Sequence, residues 1–198
     1  MSAHPKQFRL PLFPLQTVLF PGGRLSLKIF EQRYLDMVKQ AIADSTPFGI
    51  CAIREGQETG TPAVPYEVGT LVRITDWDMP QAGILHIETQ AANRFVIRRI
   101  DTEPNGLLVG TVDDISAEPT IAVPDELELA VEILRHIIGD IGASQFPAPF
   151  AFDDATWVGY RLSEVLPLKL SIKQNLLEMN DGVTRLRILT EFLKKQIN

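Results

Sequence analysis

The side chains that could carry chemistry are few and scattered. The histidines are His4, His86 and His136, the single cysteine is Cys51, and no HExxH or cysteine pair accompanies them. A zinc site needs three or four such ligands brought together, so this spacing argues against one. Neither GxxxxGK[ST] nor GxGxxG occurs, which removes the usual backbone cradles for nucleotide phosphates, and neither a GxSxG elbow nor an SxxK dyad is present. Asp76 and Asp78 flank Trp77. Paired carboxylates can do acid/base work, but aspartates near a strand end more often bond their own backbone. Cys51 stands in the apolar run FGICAI and reads as a small buried hydrophobe, and His86, between Leu85 and Ile87, has no partner for catalysis. No cofactor, metal or catalytic residue is expected. Trp77 reads equally well as a stacking platform or a core plug, and Trp157 as core.

The elements that hold these residues are organised around Leu10 to Tyr34, LPLFPLQTVLFPGGRLSLKIFEQRY. Its first half is too apolar for a surface loop, while Pro11, Pro14 and Pro21 forbid a helix, so it must lie extended and buried. Gly22 and Gly23 make a tight turn into a half-buried strand, in which Leu25, Leu27 and Ile29 alternate with Arg24, Ser26 and Lys28. These two strands are expected to pair. A helix opened by Glu31 follows, with Tyr34, Leu35, Val38, Ala41 and Ile42 on one face, and Pro47 ends it. Arg33 and Tyr34 are expected to anchor this helix to the sheet. FGICAIR is a continuous apolar strand and EGQETGTPAVP a loop. Val68–Trp77 and Ile84–Gln90 should form a hairpin across DMPQAG, and RFVIRRI and GLLVGTVDDI a second across DTEPN. Short strands without regular strand–helix alternation predict a mixed or antiparallel barrel rather than a doubly wound sheet.

Composition shifts at Ser116–Pro124, and the boundary is drawn after Glu118, giving domains 1–118 and 119–198. Everything periodic beyond it is helical. Asp125 is expected to cap a helix with the stripe Leu127, Val131, Leu134, Ile138 and Ile141, closed by Gly142. ASQFPAPF should pack. A second helix runs from Asp154 to Leu166. Ser171 with Gln174 reads as a capping box for a third, and Asp181 caps a fourth in which Leu186, Leu189, Leu193 and Ile197 face inward. Such short amphipathic helices need one another and imply a four-helix bundle.

The 198 residues carry a net charge of −6, spread as 14 acidic and 11 basic residues through Glu118 and 11 and 8 beyond it. Phosphate backbones call for a concentrated basic face, so nucleic acid is disfavoured; the nearest patch is Arg94 and Arg98 on one face, with Arg99 on the other. No run approaches the roughly 20 apolar residues that cross a bilayer, and a lone cysteine fits a reducing compartment, so a cytoplasmic location is expected.

The segments LPLFPLQTVLFPGGRLSLKIFEQRYLDMV, FGICAI, VGTLVRITDW, NRFVIRRI and GLLVGTV, then Trp157 to Leu168 and the terminal KQNLLEMNDGVTRLRILTEFL, resemble the Lon substrate-binding domain, the N-terminal domain of the ATP-dependent Lon protease, also found standing alone. Gln32 stands where the family commonly has proline. The resemblance implies an α+β fold with a PUA-like pseudo-β-barrel and a helical bundle, and a role in recognising polypeptide. With the chain ending at Asn198, it also implies a non-catalytic module lacking the ATPase and Ser-Lys peptidase, acting as an adaptor in proteolysis. The candidate binding residues are Trp77, Met79 and Pro80, with Arg33 and Tyr34 behind them. The alternatives from other classes are an RNA-binding PUA-like protein and a small-molecule binder using the cleft between the subdomains.

Overall fold

The computed structural model describes residues 7–197; His4 lies outside them, as does the side chain of Ile197. The chain divides into two compact units, Met1–Ser116 and Ala117–Asn198. The first is a mixed sheet with one helix. The second is helical.

The first strand, β1 (Phe8–Leu15), is extended through Pro11 and Pro14 as their fixed φ requires, and it is buried along most of its length. It runs parallel to β3 (Phe48–Glu55), with Leu12 opposite Gly49, and antiparallel to β7 (Leu108–Ile115), with Phe8 opposite Val112. Phe20–Gly23 forms a type II turn. Pro21 sits at its second position, Gly22 at its third with φ 77°, and the Gly23 N–H donates to Phe20 O at 2.9 Å. The expectation that the two opening strands pair is not met. After the turn, β2 (Arg24–Ile29) runs antiparallel to β6 (Ile84–Thr102), with Leu27 opposite Ile87. The helix α1 (Gln32–Asp44) follows, with Glu31 at its N-cap and Tyr34, Leu35, Met37, Val38 and Ala41 buried.

A two-residue strand, β4 (Val64–Pro65), interrupts the expected 55–65 loop. Beyond it, β5 (Val68–Gln81) and β6 are longer than their hydrophobic runs. DMPQ belongs to β5, and β6 continues through Ala91, Ala92 and Asn93, so that one 19-residue strand replaces two short ones. Polar residues hold strand geometry here because cross-strand partners, not propensity, decide it. The order β1-β7-β6-β5-β3, together with the β1–β3 pairing, closes the strands on themselves. Inside, the Phe95 ring lies against two glycine backbones: a Cβ on either Gly49 or Gly69 would stand 2.6 Å from its Cζ. The bulge at Ile97–Arg99 breaks the shared face expected for Arg94 and Arg98. Arg94 is buried, while Arg98 is exposed and bonds Asp113 at 2.7 Å.

The second unit contains α2 (Glu128–Ile141), α3 (Ala155–Val165), α4 (Leu170–Glu178) and α5 (Gly182–Ile197). Leu127, Val131, Leu134 and Ile138 are buried as the stripe predicts, but Ile141 is 52% exposed. Two caps differ from expectation. Asp125 opens a 3-10 turn (Asp125–Leu127) rather than capping α2, and α4 begins one residue ahead of Ser171, with Lys169 at the N-cap and no capping box. Asp181 caps α5 as expected, accepting from the Thr184 N–H at 3.0 Å, and the structure adds Asp154, which caps α3 by accepting from the Thr156 N–H at 3.0 Å.

Glu118 is bonded to two side chains of the second unit. Arg185 on α5 grips it bidentately, Nη1 to Oε2 at 3.0 Å and Nη2 to Oε1 at 2.6 Å, and donates further to Leu176 O and Met179 O. The Tyr160 hydroxyl donates to the same carboxylate at 2.6 Å.

Candidate functional site

Beyond Ile74, β5 runs on as an arm whose residues Thr75–Gln81 are all exposed. The register sets Trp77 opposite Ile87, which on its other side faces Leu27. The arm therefore continues the row of a buried core residue with an indole that is 53% exposed. Met79 is 41% exposed and Pro80 is exposed beside it. Together with Ala41, Ile42, Ser45, Thr46, Arg73 and Ile74, Trp77 borders an open groove of about 340 Å³.

Asp76 and Asp78 do not converge on a substrate position. Each accepts the backbone N–H of the next residue, Asp76 Oδ1 from Trp77 at 2.9 Å and Asp78 Oδ1 from Met79 at 2.8 Å. Thr75 Oγ1 donates to Glu88 O, so alternate β6 carbonyls, and the Asp76 and Asp78 positions opposite them, face across the ladder. The Trp77 and Met79 N–H groups consequently point to the outer edge, where the two carboxylates cover them.

Arg33 and Tyr34 lie apart from the arm and are buried. Tyr34 stacks on Phe13 with centroids 4.0 Å apart, and burial pushes its phenol pKa up despite the opposing charge of Arg33. Arg33 donates from Nη1 to Gly106 O at 3.2 Å and pairs through Nη2 with Glu31 at 3.0 Å. These two act as the anchor foreseen for α1 and offer little surface. Phe13 and Tyr34, with Leu15, Leu27, Ile29 and Phe30, instead line a groove of about 200 Å³ alongside β2.

Cys51 is fully buried, and desolvation drives its thiol far above its usual pKa, which leaves it inert. His86 is exposed. Among the described residues no three His, Cys, Asp or Glu side chains gather to hold a metal ion, and no described helix is long and apolar enough to cross a membrane. Arg98 and Arg99 are held by Asp113 and Asp101, so the thin basic patch is neutralised where it stands.

Sequence reasoning missed a second apolar groove of about 520 Å³ between α4 and α5, lined by Leu168, Ile172, Leu176, Ile188 and Phe192. The only trace of it was Ile172 and Ile188 falling off the buried stripes. Phe30, just after β2, is likewise exposed, at 57%.

This closed, mixed sheet with its helical unit is the fold of a known class. The model of the ATP-dependent protease La (Lon) substrate-binding domain matches residues 9–195, and the chain belongs to that family. The crystal structure of a Lon N-terminal domain protein from Xanthomonas campestris superposes with a TM-score of 0.78 at 35% identity, over 92% of this chain and 96% of that one. The N-terminal domain of a Mycobacterium avium complex Lon protease shares the fold at 17% identity, with a TM-score of 0.63, over 93% of this chain and 97% of that one. The Lon proteases of Cytophaga hutchinsonii and Anaeromyxobacter dehalogenans are 27% and 24% identical over 95% and 94% of this chain. The chain spans about a quarter of the length of these relatives, 24% and 23% respectively.

Proposed function

We propose that this chain recognises polypeptide, binding unfolded segments through the apolar surface of its first unit and serving proteolysis as a non-catalytic adaptor in the cytoplasm. The observation that carries the reading is the arm bearing Trp77, Met79 and Pro80 in a member of a substrate-binding family. An exposed indole and thioether on a strand whose edge is already capped contribute little to folding, yet they supply adaptable apolar contact of the kind promiscuous binders use. The closed strand pairing supports a PUA-like description of the first unit, and the four helices support a bundle in the second.

The test is fluorescence anisotropy with a labelled, reduced and carboxymethylated protein that cannot refold, against the same protein in its native state. Binding of the unfolded form alone, weakened at least fivefold by Trp77→Ser with Met79→Ser while the melting curve is unchanged, is the expected result. Equal indifference to both forms refutes the reading.

A further inference from the structure

The two strands flanking the same stretch of β6 treat their outer edges differently. On β5 the outward N–H groups of Trp77 and Met79 are covered by Asp76 and Asp78. On β2 the Ala91 N–H donates to Gly23 O and Thr89 Oγ1 to Leu25 O, so Gly23, Leu25 and, by alternation, Leu27 and Ile29 face β6. The backbone groups of Ser26 and Lys28 therefore face away from it. Among the described residues β2 pairs with β6 alone. The residues preceding these outward groups are Leu25 and Leu27, which cannot cap them as the aspartates do on β5.

This open edge forms one wall of a groove. Ser26 to Phe30 line it continuously, and Phe13, Leu15 and Tyr34 line it across from them. Its two acids are already engaged, Glu31 with Arg33 and Glu58 with the Gln16 N–H. What the groove offers an incoming chain is a row of backbone donors and acceptors beside an apolar floor.

Resting on the recognition role above, we propose that β2 is where the polypeptide is held: an extended segment adds as a strand to the Ser26–Lys28 edge and seats an apolar side chain against Phe13, Tyr34 and Phe30. Main-chain hydrogen bonding then supplies affinity that does not depend on sequence, and the groove selects for one apolar residue. A second copy of this chain is a poor occupant. Antiparallel self-pairing about Ser26 sets Arg24 opposite Lys28 twice, placing like charges face to face.

The probe is a labelled decapeptide of alternating threonine and valine with a central phenylalanine, compared with the same peptide N-methylated on alternate amides. Lys28→Pro removes one outward N–H and leaves the β6 ladder intact, as proline is tolerated on an edge; Lys28→Ala controls for the charge. The proposal expects at least tenfold weaker binding for the N-methylated peptide, and for Lys28→Pro with the parent peptide, with Lys28→Ala within twofold of wild type. Should Lys28→Pro fail to fold by circular dichroism, the N-methylated peptide decides alone. Equal binding of both peptides overturns the edge site. If the carboxymethylated protein still binds in that case, the recognition role survives without it, and if neither probe binds wild type, both fall. Sedimentation showing a dimer that Lys28→Pro dissociates would make a second copy the occupant and overturn the proposal.

Discussion

The most consequential single residue is Arg185. Its guanidinium is fully buried, gripped by Glu118 and lying 4.2 Å over the Tyr160 ring, so it ties the start of the second unit to α3, α4 and α5. Removing one partner leaves a buried charge uncompensated, which costs about 3–5 kcal/mol, whereas replacing both with apolar groups is close to neutral. Glu118→Gln should lower the urea midpoint sharply, and Glu118→Leu combined with Arg185→Met should recover only part of the loss, because the Leu176 and Met179 carbonyls then lose their donor. Glu164 gives a pH-dependent counterpart. Burial pushes its carboxyl from the usual 4.5 up to about 7, against the opposing pull of Arg161 at 3.0 Å and of Lys173. The folded state holds the extra proton between those values, so this group's contribution to stability is greatest below the unfolded pKa and declines as pH rises to about 7. Urea melts from pH 5 to 7.5 should show Glu164→Gln gaining on wild type as pH rises. The burial of Arg185 was partly legible, since it lies four residues before Leu189 on the inward stripe of α5. The carboxylate that meets Arg185 was not, because Glu118 is 67 residues away and reads as linker.

Among elements, legibility followed whether a signal was local. The proline-laced β1, the turn into β2, α1 and the cap Asp181 could be read because fixed φ, helical period and cap chemistry act within a few residues. The continuity of β6 could not, since Ala91, Ala92 and Asn93 are held extended by Gln90 and its neighbours pairing with both β2 and β5. The same long-range pairing sets the glycine requirement. A Cβ on Gly69 would sit 2.5 Å from the Ile50 carbonyl oxygen, a backbone atom that cannot yield without moving β3. Gly69→Ala should cost about 1–3 kcal/mol by overpacking. Gly139, exposed in α2 with nothing within 4 Å of its would-be Cβ, is the control: Gly139→Ala should stabilise by about 0.5–1 kcal/mol in the same melts.

At the scale of the whole molecule, the chain belongs to the family of Lon substrate-binding domains, and the two surfaces proposed for polypeptide both lie on the first unit. One is the arm carrying Trp77, Met79 and Pro80, which the sequence pointed to through residue types alone. The other is the edge of β2 beside Phe30, which no residue type announces, because an open backbone edge exists only once the neighbouring strands are in place. Hydrogen–deuterium exchange of the intact chain, with and without the reduced, carboxymethylated protein, reads both surfaces at once. The account predicts slowed exchange at amides 24–30, 75–79 and 81, with α2 (Glu128–Ile141) unchanged. Slowing confined to the helical unit, or none anywhere, would contradict it.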